Sequence, residues 1–451
     1  MKILWICNIA LPRIAEHLHM EASNKEGWLT GLSQRLLAKG QESGISLAVA
    51  FPVAQEQSEQ KWEIPVPEFQ TRLFAYGFRE DTTHPEIYPE GLERRLGQII
   101  EDFQPQVVHC FGTEFPHTLA AARVCPGQRI LVGIQGLCAV CAKAYLADLP
   151  ERVVRRVTLR DYLRKDSILQ QQQKFFRRGE MEVQALGLVG HVTGRTWIDR
   201  KFGADCNPKA RYHFMNETLR ANFYQGSWEL GGCEKYSIFL SQGDYPIKGL
   251  HYMLHAMREI LAVYPEARVY VAGNCIVRQD TWKDKLKISS YGKYLLEIIR
   301  RYGLEEKVIF LGKMNAEAMK ERFLKSHVFV CPSTIENSPN SLGEAMLLGV
   351  PCVTAQVGGI RSVFEDGRDG IAYPGFGAEE YEGETDPEMA QAHRLAAAVL
   401  QLWGDEEKLL QYSANAREHA RRTHDGEENF NTLIQIYKEI ADETDLCIQL
   451  H

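Results

Sequence analysis

The chain has 451 residues, of which 45% are hydrophobic and 25% are charged, and its formal net charge is −7 at pH 7. A chain of this length exceeds one hydrophobic core, so we predict two domains of roughly 200 residues each. The acidic balance argues against a general nucleic-acid-binding protein, which would carry a basic excess.

The N-terminal segment, MKILWICNIALP, is apolar but is interrupted by Asn8 and Pro12. It is shorter than the roughly 18 apolar residues that a membrane span requires. Because it also lacks a small-residue cleavage pattern, we interpret it as a first strand and not as a signal peptide. The eleven scattered cysteines are typical of small buried side chains in a reducing compartment. We therefore expect a cytoplasmic protein.

Short apolar runs alternate with helical patterns along the whole chain. The strand-like runs are KILWIC, SLAVAFP, VVHCF, ILVGIQG and LVGHVT in the N-terminal half, and SIFLSQ, RVYVAG, VIFLG, VFVCPS and CVTAQ in the C-terminal half. Near-continuous apolar runs suit strands that are buried on both faces of a parallel sheet. Alternation of strands with helices indicates βαβ units. We therefore predict an α/β protein of two doubly wound, Rossmann-like parallel-sheet domains that face each other across a cleft.

A glycine-rich segment at 221–236 predicts the break between the domains. We place an N-terminal domain at 1–222 and a C-terminal domain at 223–427. We predict that the remaining residues, 428–451, form a C-terminal helix, and we consider that this helix crosses back to the N-terminal domain.

Polar residues follow the strand-like runs of the N-terminal half, and in open parallel sheets ligands bind outside the carboxyl ends of the strands. His109 and Glu114 stand at the end of VVHCF, and Arg195 follows LVGHVT. Glu114 is a candidate base or acceptor clamp, with a helix-start charge as the equal alternative. Arg195 is expected to face the cleft, where it would meet an anionic group.

Residues 151–178 hold nine Arg or Lys and three acidic residues, interleaved with apolar side chains. A basic amphipathic helix of this kind lies on anionic membrane surfaces. We therefore consider peripheral contact with the inner membrane face through 151–178. The alternative, which we favour slightly, is a core-packed helix with a solvated basic face.

The richest segment of the C-terminal half is VFVCPSTIENSPNSLGEAMLLGVPCVTA at 328–355. Within this segment the strand-like run VFVCPS ends, and a polar loop with Glu336 follows. A helix with Glu344 in its first turns then begins near Asn340. The amides of Asn340, Ser341 and Leu342 at the helix N-terminus are expected to form an anion site for a diphosphate. The two glutamates are suited to accept hydroxyls of a sugar and a ribose. The alternative is that Glu336 is an ordinary loop charge and that Glu344 is a charge favoured at a helix N-terminus.

A second segment, SIFLSQGDYPIKGLHYMLHAM at 237–257, ends a strand near Gln242 and continues through a turn with Gly243. Lys248 then precedes the next helix. Because adjacent strands end on the same edge, this lysine is expected to reach the same phosphates.

These C-terminal segments resemble the retaining glycosyltransferases of the group 1 family, the relatives of sucrose and bacterial glycogen synthases with the GT-B fold. The residues that carry the resemblance are IKG at 247–249, VYVAGN at 269–274, VIFLGKM at 308–314 and CPSTIENSPNSLGEAMLLGVPCVTAQVGGIRSVFEDGRDGIAYP at 331–374. The N-terminal half is similar to the family only in outline. The resemblance implies that 1–222 is an acceptor-side domain and that 223–427 is the nucleotide-sugar donor domain.

The resemblance implies roles for individual residues. Glu336 matches the first glutamate of the family's E-x7-E motif, which contacts donor-sugar hydroxyls, and Glu344 matches the second, which holds the ribose. Lys248 matches the lysine that neutralises the donor phosphates, so Glu336 and Lys248 are the predicted catalytic residues. The further predicted donor contacts are Gln242, Gly243, Asn337, Ser338, Pro339, Asn340, Ser341, Leu342, Gly273, Gly312, Met314 and, in the first loop, Gly27. Gly312 to Met314 lie where the family holds the base.

Two residues depart from the family pattern. Gln242 stands where the family usually has an arginine, so one positive charge on the diphosphate is missing, and Arg361 is a candidate substitute. Gln135 stands where many members have a histidine that touches the donor sugar. With His109, Glu114 and Arg195, Gln135 completes the acceptor-side candidates.

The leading hypothesis is a retaining hexosyltransferase that uses no metal or other cofactor. It would move a sugar from a nucleoside diphosphate, UDP- or GDP-linked, to a glycan or lipid-linked acceptor, as in bacterial surface polysaccharide assembly. The absence of a DxD motif fits a metal-independent reaction. The alternatives are a non-catalytic sugar-nucleotide-binding protein, supported by Gln242 and Gln135, and a GT-B sugar-nucleotide epimerase. A dehydrogenase is disfavoured because no G-x-G-x-x-G follows the first strand of either domain.

Overall fold

A computed structural model describes residues 1–20, 27–40, 44–378 and 383–449 of the chain. The strands are β1 (Lys2–Ile6), β2 (Ser46–Pro52), β3 (Lys61–Val66), β4 (Thr71–Phe78), β5 (Val107–Phe111), β6 (Ile130–Gly133), β7 (His191–Gly194), β8 (Arg211–Phe214), β9 (Glu234–Leu240), β10 (Arg268–Ala272), β11 (Val308–Gly312), β12 (Ser326–Cys331), β13 (Cys352–Gln356) and β14 (Gly370–Pro374).

The helices are α1 (Pro12–His17), α2 (Gly27–Gly40), α3 (Leu92–Phe103), α4 (Pro116–Val124), α5 (Cys138–Ala144), α6 (Glu151–Val154), α7 (Leu159–Arg164), α8 (Ile168–Leu188), α9 (Trp197–Cys206), α10 (Leu250–Val263), α11 (Trp282–Leu286), α12 (Ser290–Tyr302), α13 (Ala316–Lys325), α14 (Asn340–Leu348), α15 (Ile360–Val363), α16 (Pro387–Trp403), α17 (Glu406–Thr423) and α18 (Gly426–Gln449). None of the helices in the described part of the chain is long and apolar enough to cross a bilayer.

The chain divides into two compact units. Unit 1 comprises Met1–Ala139, Phe175–Leu219 and His424–His451, and unit 2 comprises Val140–Lys174 and Arg220–Thr423. Residues 140–174 lie inside the range predicted for the N-terminal domain, but they group with unit 2. The reason is local packing: Asp161 in α7 accepts hydrogen bonds from Ser290 at the start of α12.

Unit 1 is built on an eight-stranded sheet with the order β3-β4-β2-β1-β5-β6-β7-β8. All neighbouring strands are parallel except β3 and β4, which run antiparallel. The predicted parallel sheet is therefore mixed in unit 1. The strand β3 contains Glu63 and Pro65 and lies at the sheet edge, where proline does not interrupt a ladder on both sides.

The last helix, α18, belongs to the core of unit 1. Its buried side chains, Phe430, Leu433 and Tyr437 among them, lie in one hydrophobic cluster with residues of β1 and β2. The Tyr437 hydroxyl accepts a hydrogen bond of 2.9 Å from the indole nitrogen of Trp5. The same hydroxyl lies 2.7 Å from Nδ1 of His109, so this buried polar group is satisfied from two strands.

Unit 2 is built on a six-stranded sheet with the order β11-β10-β9-β12-β13-β14, and all its neighbouring strands are parallel. The prediction of two α/β sheet domains is confirmed. Because β9 and β12 are neighbours in this sheet, the loops that follow them leave from the same edge. Those two loops carry most of the predicted donor residues.

Candidate functional site

Lys248 and Glu336 meet at the carboxyl edge of the unit 2 sheet. Lys248 ends a 3₁₀ turn, Pro246–Lys248, that follows β9, and Glu336 lies in the loop between β12 and α14. The Lys248 Nζ atom donates to Glu336 Oε1 at 2.6 Å. The Ser333 hydroxyl donates to the same oxygen at 2.7 Å. The structure therefore brings together the two residues that the sequence predicts as catalytic.

Two glycines permit this close approach of loops. Gly249 has φ +70°, and a Cβ there would lie 2.0 Å from the carbonyl oxygen of Pro332. Gly358 has φ +48°, and a Cβ there would lie 2.0 Å from the carbonyl oxygen of Glu336. The Gly359 amide donates to that same carbonyl at 2.8 Å. Side chains at 249 or 358 would therefore displace the loop that holds Glu336.

The charge on Lys248 is maintained by its partner. Burial acts against the ammonium, but the adjacent Glu336 carboxylate outweighs this effect and raises the pKa of Lys248 above its usual value. Lys248 is therefore protonated at neutral pH and can offset the charge of a phosphate.

Glu344 lies in α14 with its side chain buried. Arg220 donates to it from Nε and from Nη2, each at 2.6 Å. The Arg220 guanidinium also lies 4.6 Å from the centre of the Phe223 ring. Burial raises the pKa of Glu344, and the two bonds from Arg220 act in the opposite direction.

Arg220 was not predicted from the sequence. This residue is 124 positions from Glu344, and no motif spans that distance. The only available signal was the cation that the family pattern requires near the donor site and that Gln242 does not provide. We assigned that role to Arg361 instead. The Arg361 guanidinium is exposed and donates to Gln356 at 3.4 Å.

The helix N-terminus differs from the expectation in one respect. The helix α14 begins at Asn340, as predicted, with Pro339 as its N-cap residue and no side-chain cap. The Leu342 amide, expected to be unpaired, donates to the Pro339 carbonyl at 3.0 Å. A tight first turn thus uses one of the amides that we assigned to a diphosphate. Asn337 and Ser338 lie in the loop before the helix.

The remaining predicted donor residues of unit 2 lie along the same edge. Gln242 and Gly243 follow β9, Gly273 follows β10, and Gly312 ends β11, two residues before Met314. The Gly273 amide donates to the Gly312 carbonyl at 3.0 Å. The sheet therefore gathers these residues on consecutive strands. Gly27 begins α2 in unit 1, and the predicted loop before it, residues 21–26, lies outside the described residues.

Three acceptor-side candidates surround one small cleft in unit 1. His109, Gln135 and Arg195 line it together with Glu217. Gln135 Nε2 donates to Glu217 Oε1 at 2.5 Å, and Arg195 Nη1 lies 2.9 Å from Glu217 Oε2. The expectation that Arg195 faces a cleft to meet an anion is thus modified, because Arg195 is buried and its charge is balanced by Glu217.

His109 and Glu114 are held inside unit 1. His109 lies within β5 and not at its end, its ring is fully buried, and burial lowers its pKa to about 3. It is therefore neutral at physiological pH. The Glu114 side chain accepts a hydrogen bond of 2.6 Å from the Gly136 amide, and burial raises the pKa of Glu114. Both side chains thus have hydrogen-bond partners within unit 1, Tyr437 for His109 and Gly136 for Glu114.

The basic segment 151–178 is not one amphipathic helix. It contains α6, α7 and the first half of α8, separated by turns. Val153, Val154 and Ile168 are buried, whereas Tyr162 and Leu163 are exposed.

Comparison with known proteins finds sequence matches mainly in the C-terminal part of the chain. Residues 226–419 match the sequence profile of the glycosyl transferases group 1. An uncharacterized glycosyltransferase of Methanocaldococcus jannaschii is 30% identical over 142 residues, which are 31% of this chain and 32% of that protein. A D-inositol 3-phosphate glycosyltransferase of Catenulispora acidiphila is 26% identical over 168 residues, 35% of this chain and 36% of that protein. The alignments thus span about a third of these relatives' own length.

Similarity of fold extends further than similarity of sequence. The structure of Anabaena HepE in complex with UDP matches 99% of this chain and 100% of that chain, with a TM-score of 0.59 and 14% identity. Sucrose-phosphate synthase from Thermosynechococcus elongatus matches 98% of this chain and 99% of that chain, with a TM-score of 0.60 and 14% identity. The fold is therefore GT-B, and the sequence match to the glycosyl transferases group 1 is confined to residues 226–419.

Proposed function

We propose that this protein transfers a sugar from a nucleoside diphosphate sugar to a glycan or lipid-linked acceptor, with retention of configuration and without a metal ion. The observation that carries the proposal is the ion pair of Lys248 with Glu336 at the carboxyl edge of the unit 2 sheet, 2.6 Å long. The family match over residues 226–419 supports it.

Each proposed role follows from the chemistry of the side chain. When the bond between sugar and phosphate breaks, negative charge develops on the leaving diphosphate. A fixed ammonium, that of Lys248, stabilises this charge most when water is excluded. Glu336, which holds the ammonium in place, is the acceptor for hydroxyls of the donor sugar. Glu344 is the acceptor for ribose hydroxyls, which would share this carboxylate with Arg220.

The donor is proposed to be UDP- or GDP-linked. The support for UDP is indirect: the structures of Anabaena HepE, which is similar in fold, were determined with UDP and with UDP-glucose. Gly312 and Met314, assigned to the base by resemblance, discriminate poorly between bases when they act through main-chain atoms. A role in bacterial surface polysaccharide assembly and a cytoplasmic location, peripheral at the inner membrane face, belong to the same proposal.

The first experiment is thermal unfolding with UDP, GDP, ADP and CDP in turn, for the wild type and for Glu344→Ala. A ligand at about 100 times its dissociation constant stabilises the folded state by roughly 2.7 kcal/mol, which is several degrees for domains of this size. We expect one nucleotide to stabilise the wild type, with or without a chelator, and the variant to lose the effect. If no nucleotide stabilises the wild type, even with magnesium, the assignment of the donor site is wrong.

A second candidate function is sugar-nucleotide binding without catalysis, which Gln242 and Gln135 favour because each replaces a group that the family uses. Incubation of the protein with the sugar form of the stabilising nucleotide separates the two candidates. Release of free nucleotide in the presence of a saccharide acceptor supports transfer. Tight binding without turnover of any tested sugar supports the binding protein.

A further inference from the structure

Two surface segments of unit 2 combine exposed apolar side chains with basic residues. The first segment, 155–165, contains α7, and the second, 278–288, contains α11. Tyr162 is 73% exposed, Leu163 is 70% exposed and Trp282 is 68% exposed. Side chains of this size leave water when an alternative environment is offered, so their exposure on two short helices indicates a docking surface.

The two segments are neighbours in the structure, since residues of both segments line the same two cavities. A cavity of about 590 Å³ has Arg160 and Arg164 on one side and Lys287 on the other, and it is also lined by Gly273 and Gly312 of the candidate donor site. A second cavity, of about 460 Å³, has Leu159 on one side and Lys285 on the other. The two segments therefore form one continuous surface, which we call the basic-apolar face.

The core of unit 2 fixes the first segment in place. The Ser290 amide, at the start of α12, donates to the Asp161 carboxylate at 2.9 Å. Arg156 forms an ion pair of 2.9 Å with Glu297 in α12. The exposed side chains of α7 are thus presented by a supported turn, and their position does not depend on a free loop.

The charge of the basic-apolar face is opposite to that of the chain. The segments 155–165 and 278–288 contain nine Arg or Lys and three acidic residues, whereas the whole chain has a net charge of −7. Among the described residues, no carboxylate forms an ion pair with Arg164 or Lys285. These cations are therefore available for negative groups of a partner.

We propose that the basic-apolar face docks on a bilayer that contains anionic lipids. Tyr162, Leu163 and Trp282 enter the interface, and the surrounding cations bind headgroup phosphates at the membrane surface. Nucleic acid fits less well, because aliphatic side chains such as Leu163 offer bases no stacking surface. The proposal deepens the lipid-linked acceptor of the proposed function and rests on it, since docking brings the enzyme to such an acceptor.

Co-sedimentation with vesicles tests the proposal without donor or acceptor, so its result is independent of the nucleotide experiment. The full chain is expected to bind vesicles of phosphatidylglycerol and phosphatidylcholine, and not pure phosphatidylcholine, with binding that weakens as salt is added. The double variants Leu163→Ser/Trp282→Ser and Lys285→Glu/Lys287→Glu are expected to raise the lipid concentration for half-maximal binding by more than about tenfold.

Matched control variants distinguish an effect of this surface from a general effect of charge or hydrophobicity on vesicle binding. Arg258→Glu/Lys325→Glu changes the charge equally at exposed positions of α10 and α13, and Leu410→Ser removes an exposed leucine of α17. Both controls are expected to bind as the wild type does. Quenching of tryptophan fluorescence by brominated lipids is expected to decrease in Trp282→Phe, which reports insertion of that one side chain.

Several outcomes would overturn the proposal. Equal binding of the wild type to neutral and anionic vesicles would exclude the role of the cations. Equal loss of binding in the control variants would exclude this face. Binding of a short RNA by the basic-apolar face, without vesicle binding, would assign this face to another ligand. Unchanged melting temperatures for all variants keep these comparisons valid.

Discussion

Arg220 holds Glu344 through two hydrogen bonds of 2.6 Å, so the carboxylate predicted to bind ribose is already engaged by a guanidinium. Arg220 is only partly covered, with 22% of its side chain exposed, whereas Glu344 has 4% exposed. The pair thus places a guanidinium at the candidate donor site, where Glu344 balances its positive charge. Whether Glu344 can accept ribose hydroxyls therefore depends on its pairing with Arg220.

The Arg220→Ala variant is expected to lose about 2 kcal/mol of unfolding free energy, because it leaves Glu344 buried without its counter-charge. Arg220→Ala/Glu344→Gln is expected to regain part of that loss, since the uncompensated charge is removed as well. Chemical denaturation of both single variants and the double variant gives the coupling energy. Strict additivity of the two substitutions would show that the pair contributes nothing to stability.

Gln242→Arg is expected to strengthen binding of the preferred nucleoside diphosphate by about tenfold, because one more charge-assisted hydrogen bond to phosphate forms. Binding of the corresponding nucleoside, which has no phosphates, is the control and is expected to stay unchanged. Calorimetric titration measures both. An equal gain for nucleoside and nucleotide would place residue 242 away from the phosphates.

Substitutions of the ion pair are expected to separate binding from turnover. Lys248→Ala is expected to weaken nucleoside diphosphate binding by about tenfold or more, because it removes a charged donor to phosphate. Glu336→Gln is expected to keep nucleotide binding within a few-fold and to reduce the rate of sugar transfer by about a hundredfold or more. Lys325→Ala, at an exposed site of α13, is the control for loss of a lysine. Wild-type turnover in Glu336→Gln would contradict its assigned role.

Gly358→Ala is expected to cost about 3 kcal/mol of unfolding free energy, because its new Cβ would collide with the carbonyl of Glu336 in addition to straining the backbone. Gly303→Ala provides the matched comparison. Gly303 also has positive φ, +63°, but nothing lies within 4 Å of its Cβ position, so only the backbone cost of about 1 kcal/mol is expected. Melting temperatures of the two variants measure the difference. Equal losses would mean that the loop around Glu336 moves freely.

The buried ring of His109 predicts a loss of stability in acid. Its folded-state pKa is lowered to about 3, whereas an unfolded histidine titrates at about 6.5. Below about pH 6.5 only the unfolded chain binds this proton, so the unfolding free energy falls by about 1.4 kcal/mol per pH unit as the pH decreases towards 3.

His109→Gln is expected to show a shallower pH dependence in urea unfolding between pH 6.5 and 5 than the wild type does, by about one proton per molecule. In the folded wild type, the ring-proton NMR signal of His109 is expected not to titrate in this range. An inflection of that signal near pH 6.5 would show that the ring is accessible to protons and would refute the assignment.

Much of the fold could be predicted because buried parallel strands have a strong sequence pattern. Runs such as VVHCF and VFVCPS correspond to β5 and β12, which are covered on both faces. The strands β3, β4, β8 and β14 were not predicted. Three of them, β3, β8 and β14, lie at the edges of their sheets, where a strand has a neighbour on one side only and its sequence can be polar, short or proline-containing. The strand β4 lies between β3 and β2, but Arg72 and Gly77 interrupt its apolar pattern.

The candidate donor site could be predicted in part for a related reason. Lys248 and Glu336 each follow a strand directly, and adjacent strands of a parallel sheet end at one edge, so local sequence was sufficient to place them together. The acceptor-side candidates were less predictable. Arg195 and Gln135 follow strands as well, but both are paired with Glu217, which stands in an irregular segment without a pattern.

The sequence by itself determined the two α/β sheets and the positions of Lys248, Glu336 and Glu344 at strand ends and a helix start, because these depend on periodicity and on short motifs. Only the tertiary structure decided that Arg220 pairs with Glu344, that residues 140–174 pack with unit 2, and that α7 and α11 share one surface. Contacts between residues more than a hundred positions apart leave no periodic signal in a single sequence, because they are set by how the packed elements meet.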